Sequence, residues 1–333
     1  MKAIIPVAGA GTKLRPLTYT QPKALIPIAG KTILSVNIDQ LQEAGITEFV
    51  FVIGYLGEKI QRYLTKYYPK LNYTLVNQAD RKGTGHAIWL THDAVQNDEV
   101  MIVLGDTICD YDVKKVLSSK VSQIGVKKVD DPRGFGVAEL GDNDKVLKVV
   151  EKPLIPKSNM AMVGIYYIKE TEALFSALNK HLNNRVDEEG EYHLTNALQY
   201  MIEQGISLNG FRVNNWFDCG KKESLLHTNA VLLKEQSEQK GELTTSYQYD
   251  TSVIIPPVSI AEGCTISHSI IGPNVTIGEF TNIKASIIKD TIIGSYAELD
   301  EVVLHSSIIG SDAYVRGLSQ SLNIGDNTEI DLK

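Results

Sequence analysis

The sequence runs to 333 residues, 43% hydrophobic and 22% charged, an ordinary globular composition with length for one large domain or two smaller ones. A formal net charge of −7, with no basic run, argues against nucleic acid or an anionic membrane as the main partner. No apolar stretch approaches the ~18 residues of a membrane helix, and the N-terminus does not read as a signal peptide. Cys109, Cys219 and Cys264 lie far apart without metal-ligand spacing, so free thiols, no zinc site and a cytoplasmic setting are expected.

The first element is a short apolar run, Ile4-Ile5-Pro6-Val7, that stops at Gly9-Ala10-Gly11-Thr12. It has the form of a buried parallel strand feeding a glycine-rich loop. Glycines let the backbone come close to a bulky anion, and loop amides donate to phosphate oxygens. Lys13, Arg15 and Lys23 add positive charge, which suggests a polyphosphate site; a β-to-α turn with solvated cations has the same look. No Gly-Lys-Ser/Thr closes the loop, and the third glycine of a dinucleotide fingerprint is missing.

A helix over residues 33–44, with Ile33, Val36, Ile38 and Leu41 at helical spacing, leads to a strand at 49–54. Further strands are expected at 73–76, 100–104 and 164–168. Strands alternating with helices of this length specify an α/β fold with a mostly parallel sheet. Between them lie segments suited to chemistry. Gln78 follows a strand and precedes Gly83-Thr84-Gly85-His86. Its amide can donate and accept at once, as reading a nucleobase edge requires; a solvated loop would look the same. Asp106 ends the strongest strand, where a carboxylate sits at the mouth of a ligand crevice, unless it caps a helix. Glu151-Lys152-Pro153 is by itself a common loop triplet, with a lysine suited to gripping one phosphate as a point charge. His193, in the stretch 190–195, reads as structural. Asp218, within Trp216-Phe217-Asp218-Cys219-Gly220, precedes a helix through Leu225, Val231 and Leu232 and is again open to the capping reading.

The chain then turns polar and changes period. Ile260-Ala261, Ile271-Gly272, Ile277-Gly278, Ile293-Gly294, Ile309-Gly310 and Ile324-Gly325 recur with small or polar residues between them. A hexapeptide repeat of this kind suits a parallel β-helix of about five coils, with one aliphatic side chain stacked inside each flat face. A β-sandwich would alternate with period two. Phe280, Tyr296 and Tyr314 fall at variable positions expected to point outward, so a homo-oligomer assembled through this region is expected. The expected division is a first domain at 1–235, a linker at 236–249 and a β-helix at 250–333.

These motifs resemble, in order, those of the sugar nucleotidyltransferases. The first loop matches that family's G-x-G-T-R-L-x-P-L-T signature and its later P-K and K-P steps at Gly9, Gly11, Thr12, Leu14, Pro16, Leu17, Thr18, Pro22, Lys23, Pro27 and Lys31. Lys13 stands in place of a usual arginine, Thr32 of a proline and Asn196 of an aspartate. The resemblance covers nearly the whole chain and implies a Rossmann-like catalytic sheet followed by a short left-handed parallel β-helix. It implies nucleotide contacts from Ala8, Gly9, Gly11, Thr12, Arg15, Gln78, Gly83 and Thr84. Sugar-phosphate contacts are implied for Gly136, Glu151, Lys152 and Gly164, and a Mg²⁺ ion for Asp106 and Asp218. Lys13 would hold the departing pyrophosphate, Lys23 would stabilise the phosphate under attack, and Lys152 would hold the sugar phosphate. The implied reaction joins a nucleoside triphosphate to a sugar 1-phosphate, with dTTP or UTP and glucose 1-phosphate as first choice. The alternatives are a mannose-1-phosphate guanylyltransferase, a non-catalytic nucleotide-sugar-binding relative, and an acyltransferase using His268 or His305 of the β-helix.

Overall fold

In a computed structural model, which describes residues 1–184, 190–240, 251–317, 319–320 and 322–331, the early aliphatic runs become one nine-stranded sheet. β1 (Lys2–Pro6), β2 (Glu48–Ile53) and β4 (Val100–Val103) are apolar in sequence because both of their faces are covered. With β3 (Asn72–Asn77) they form a parallel half in the order β4-β1-β2-β3. The helices Ile33–Glu43 and Gly57–Tyr67 lie between its successive strands.

β8 (Met160–Ile168) is buried at every position and runs antiparallel to β4. It also pairs antiparallel with β5 (Ser122–Lys128) and β6 (Gly136–Leu140). β7 (Val146–Glu151) pairs antiparallel with β6, and β9 (Leu208–Arg212) joins β5 in parallel. The sheet is therefore mixed where the strand pattern suggested mostly parallel. The reason is connection length: residues 141–145 can close a hairpin between β6 and β7 but cannot hold a crossover helix. Ile4, Val50, Ile102, Ile124 and Tyr166 of the sheet pack in one core with Leu174, Leu178, Leu194 and Leu198 of the helices.

The chain forms two compact units that interleave in sequence: Met1–Gly9 with Asn37–Trp216, and Ala10–Val36 with Phe217–Lys333. In the second, the hexapeptide repeat makes three five-stranded parallel sheets, hence five coils of a β-helix. Three aliphatic ladders run through it. One is Ile254, Ile271, Ile288 and Leu304. The second is Ile260, Ile277, Ile293, Ile309 and Ile324. The third is Ile266, Ile283, Leu299, Val315 and Ile330. Period-six stacking of this kind excludes the sandwich, although the step from Ile266 to Ile271 is one residue shorter than a full hexapeptide.

The corners are turned by residues in the left-handed region, among them Phe280 (φ 56) and Tyr296 (φ 59). Those two rings stack 5.4 Å apart and remain 52% and 54% exposed, as expected, whereas Tyr314 is half-buried. Of the expected linker, residues 236–240 continue the helix Lys222–Lys240, and 241–249 lie outside the described residues. Among the described residues no helix is long and apolar enough to cross a membrane. All three cysteines are free thiols.

Candidate active site

In the first unit the strand ends of the parallel half supply most of the expected positions. Ala8, buried just beyond β1, accepts a hydrogen bond through its carbonyl from Tyr55 N (3.2 Å). Gly9 is exposed, and a Cβ built there would meet nothing within 4 Å. After β4 the chain comes so close to β1 that a Cβ on Gly105 would fall 2.4 Å from Val7 Cγ1 and 2.8 Å from Pro6 O. That approach carries Asp106, half-buried, to the C-terminal edge of the strands. The chain continues as the strand Thr107–Asp110, so Asp106 is not a helix cap. Thr107 Oγ1 accepts from Trp216 Nε1 (3.0 Å), and the Trp216 ring meets Phe135 edge-on at 4.7 Å.

Gln78 is only 4% exposed, which sets aside the reading of a solvated loop glutamine. Its Nε2 donates to Gly83 O (3.1 Å) and to His86 Nδ1 (3.1 Å). Burial, and then the charge of Lys82, hold His86 below its ordinary value, so the neutral ring accepts at Nδ1 and carries its proton on Nε2. The same loop is laced to the stretch that was expected to be structural. Tyr192 N donates to Lys82 O (2.8 Å), Gly85 N to Tyr192 O (2.7 Å) and Leu194 N to Thr84 Oγ1 (3.2 Å).

A second cluster forms where β7 pairs with β6, placing Glu151 opposite Gly136. Thr195 Oγ1 donates to Glu151 Oε2 (2.5 Å), and His193 Nδ1 lies 3.9 Å from Glu151 Oε1. Burial, with the nearby Glu151 charge adding to it, pushes the Tyr166 phenol far above its ordinary value. Lys152 follows as an exposed residue in the left-handed region (φ 37), its N–H bonded to Phe135 O (3.1 Å). Gly164 belongs to a different place: its carbonyl accepts from Leu104 N (2.9 Å), at an irregularity of β8 beside the end of β4. Asn196, at the position where an aspartate is usual, places its amide nitrogen 3.0 Å from His181 Nε2.

In the second unit the signature loop folds through three short 3₁₀ turns, Thr12–Leu14, Leu17–Tyr19 and Lys23–Leu25. Gly11 starts it in the left-handed region, and its carbonyl accepts from Thr18 Oγ1 (2.8 Å) and Leu14 N (2.9 Å). Leu14, Leu17, Ala24 and Leu25 turn inward, leaving Thr12, Lys13 and Arg15 exposed and Lys23 half-buried. The Arg15 guanidinium lies 5.0 Å over the Tyr19 ring. Among the described residues neither Lys13 nor Arg15 has a salt bridge. Thr32 is a cap: its N–H donates to Ser35 Oγ (2.8 Å) and its Oγ1 accepts from Ser35 N (3.0 Å), starting the helix Ile33–Glu43. That capping role accounts for threonine where a proline is usual. Asp218, half-buried, ends the strand Asn215–Asp218 and lies too far before the helix Lys222–Lys240 to cap it. Cys219 beside it is fully buried, a packing residue.

Thr195, Tyr192 and Trp216 support these clusters through contacts that no local motif announces. A glycine loop that carries exposed cations is what a phosphate-handling enzyme requires, and residues 2–235 match the family model for nucleotidyl transferases. The chain belongs to that family. Its relatives include the bifunctional protein GlmU of Methanocaldococcus jannaschii, 32% identical over 98% of this chain and 80% of the relative. The glucose-1-phosphate thymidylyltransferase of Streptomyces antibioticus is 30% identical over 99% of this transferase and 93% of its own length. A solved UDP-glucose pyrophosphorylase complexed with UDP-glucose matches with a TM-score of 0.62 over 70% of this transferase and 98% of that chain. At 24% identity it shows the fold alone.

Proposed function

We propose that this transferase joins a nucleoside triphosphate to a sugar 1-phosphate and releases pyrophosphate, with a pyrimidine nucleotide and glucose 1-phosphate as the preferred pair. The observation that carries the reading is the signature loop, which combines the open backbone at Gly9 with exposed cations at Lys13 and Arg15 that have no carboxylate partner among the described residues. A sugar phosphate is already an oxygen nucleophile, so the chain needs no general base. It needs neutralised charge and aligned reactants. Lys13, with Arg15, holds the departing pyrophosphate; Lys23 stabilises the phosphate under attack; Lys152 grips the sugar phosphate. Glu151, fixed by Thr195, accepts from sugar hydroxyls.

Asp106 and Asp218 offer hard carboxylate oxygens, the donors that Mg²⁺ takes together with substrate phosphates. Among the described residues no group of three or more candidate ligands occurs, and an ion shared with substrate phosphates needs none. When bound, Mg²⁺ supplies charge neutralisation at the phosphates.

With Gln78 Nε2 donating to Gly83, its Oε1 is the group left to accept from a base. Uracil and thymine offer an imide N–H there and adenine offers none at the matching ring position. Guanine does, which favours the guanylyltransferase as second reading. The names of the relatives support the sugar-nucleotide class. Pyrophosphate release from dTTP, UTP, ATP and GTP, each with glucose 1-phosphate and mannose 1-phosphate, tests it. An unpaired buried polar group costs about 1–3 kcal/mol, so dTTP or UTP is expected to exceed ATP in kcat/KM by at least about tenfold. No release from any pair overturns the enzymatic reading, and GTP with mannose 1-phosphate in first place replaces it by the second.

A further inference from the structure

The signature loop is built of 3₁₀ turns, which hold weakly by themselves. Its anchors come from far along the chain. Thr20 Oγ1 donates to Asp326 Oδ2 at 2.5 Å, across 306 residues. The other oxygen of that carboxylate, Oδ1, accepts from Ser311 N at 2.6 Å, so the anchor is itself tied to the preceding coil. Beside it Gly325 lies flat against Pro16: a Cβ there would come within 3.1 Å of Pro16 O. The far end of the loop has a second anchor. Ala29 N donates to Oδ1 of the fully buried Asn229 (2.8 Å), and Gln236 Nε2 donates to Ala29 O (3.1 Å). Asn229 in turn donates to Asn274 O (3.1 Å) and accepts from Thr276 Oγ1 (2.6 Å), both on the β-helix.

We infer that Asp326 and Asn229 are positioning residues for the triphosphate: the β-helix is the fixed base on which the phosphate-holding loop is mounted, with Lys23 suspended between the two anchors. The inference rests on the proposed role of that loop in holding the nucleotide. Removing the Asp326 carboxylate lets residues 16–20 wander and blurs the phosphate site, while Glu151 and Lys152 keep their own supports.

Steady-state kinetics of the full chain test this with dTTP or UTP and glucose 1-phosphate. Asp326→Ala is expected to raise KM for the nucleotide about five- to twentyfold with KM for the sugar phosphate within twofold of the parent. Thr20→Val should match it, and the double variant should be no worse than either single. Asp326→Asn, which keeps an acceptor, should recover most of the loss. Asn229→Ala leaves a buried cluster unpaired and serves only if it folds. Parent kinetics in Asp326→Ala overturn the inference. Amide exchange, measured without substrate, separates the two readings. The bonded amides of Tyr19 and Gln21 should exchange at least about tenfold faster in Asp326→Ala. Unchanged protection overturns the positioning role even where a wholly inactive parent has already overturned the proposed reaction.

Discussion

Gly9→Ala separates binding from folding. No atom lies within 4 Å of a Cβ at Gly9, so the added methyl meets no protein. A Gly-to-Ala change at an unstrained position stabilises by about 0.4–1 kcal/mol through the unfolded state. For a unit of this size that is a rise of about 1–4 °C in Tm. If the Gly9 backbone is where phosphate oxygens approach, the same methyl occupies their space and removes a charge-assisted hydrogen bond worth about 1.5–3 kcal/mol. The nucleotide KM should then rise about 10–150-fold. Thermal melts and pyrophosphate-release kinetics read the two effects independently. Gly134→Ala, at an exposed turn whose Cβ also meets nothing within 4 Å, is the control and should leave KM alone. A Gly9→Ala enzyme with unchanged Tm and a nucleotide KM within twofold of the parent would refute the idea that the loop backbone cradles phosphate.

Asp106→Asn and Asp218→Asn should each lower kcat by at least about a hundredfold with little change in Tm, and the double variant should be no worse than either single, because groups acting on one ion are not additive; full activity in either single removes the metal assignment. Lys13→Arg should keep or raise activity, since the guanidinium adds a bidentate phosphate contact, whereas Lys13→Ala should weaken nucleotide use; parent behaviour in the alanine variant moves the clamp to Arg15. His86 has a folded pKa below its ordinary 6.5, so the stability it contributes is full above that value and is lost as pH falls through the folded value. Protonation also turns Nδ1 into a donor facing the Gln78 donor, so nucleotide KM should climb as pH falls through the lowered His86 value, and a His86→Gln enzyme with the same climb refutes the assignment. Phe280→Ser with Tyr296→Ser should reduce the mass seen by light scattering to one chain, and a parent that is already monomeric ends the case for self-association.

What the sequence revealed about the fold followed from local regularity. Ile4-Ile5, Phe49 to Ile53 and Val100 to Val103 are uniformly apolar, which only a strand covered on both faces tolerates. The ladder positions from Ile260 to Ile324 were legible because each coil repeats the same inward residue. β5, β6 and β7 escaped notice because their pairing is set by short connections and their outward positions carry lysines and glutamates. In the site, glycines and charges marked the loop, but orientation did not show. Gln78 turns its amide nitrogen to Gly83, a choice made by His86 and by the Tyr192 backbone. Asn229 and Asp326 look like ordinary polar residues of a helix and a turn until the fold brings Ala29 and Thr20 to them. Their contacts also carry a consequence for truncation: every proposed catalytic residue precedes the coils, yet with the loop anchored on those coils, removal of residues beyond 240 should cost most of the transferase activity.

The 306 residues between Thr20 and Asp326 also set a clock. A nascent chain lengthening at about 5–20 residues per second spends roughly 15–60 s between making one partner and making the other. During that interval β1 and its neighbours can already assemble, while residues 16–20 have no surface to rest on. The loop that would meet the nucleotide is thus synthesised early and ordered late. Competence for the nucleotide would come only once Asp326 has been made, so a ribosome-bound chain carrying a finished sheet without that coil would still bind triphosphate poorly.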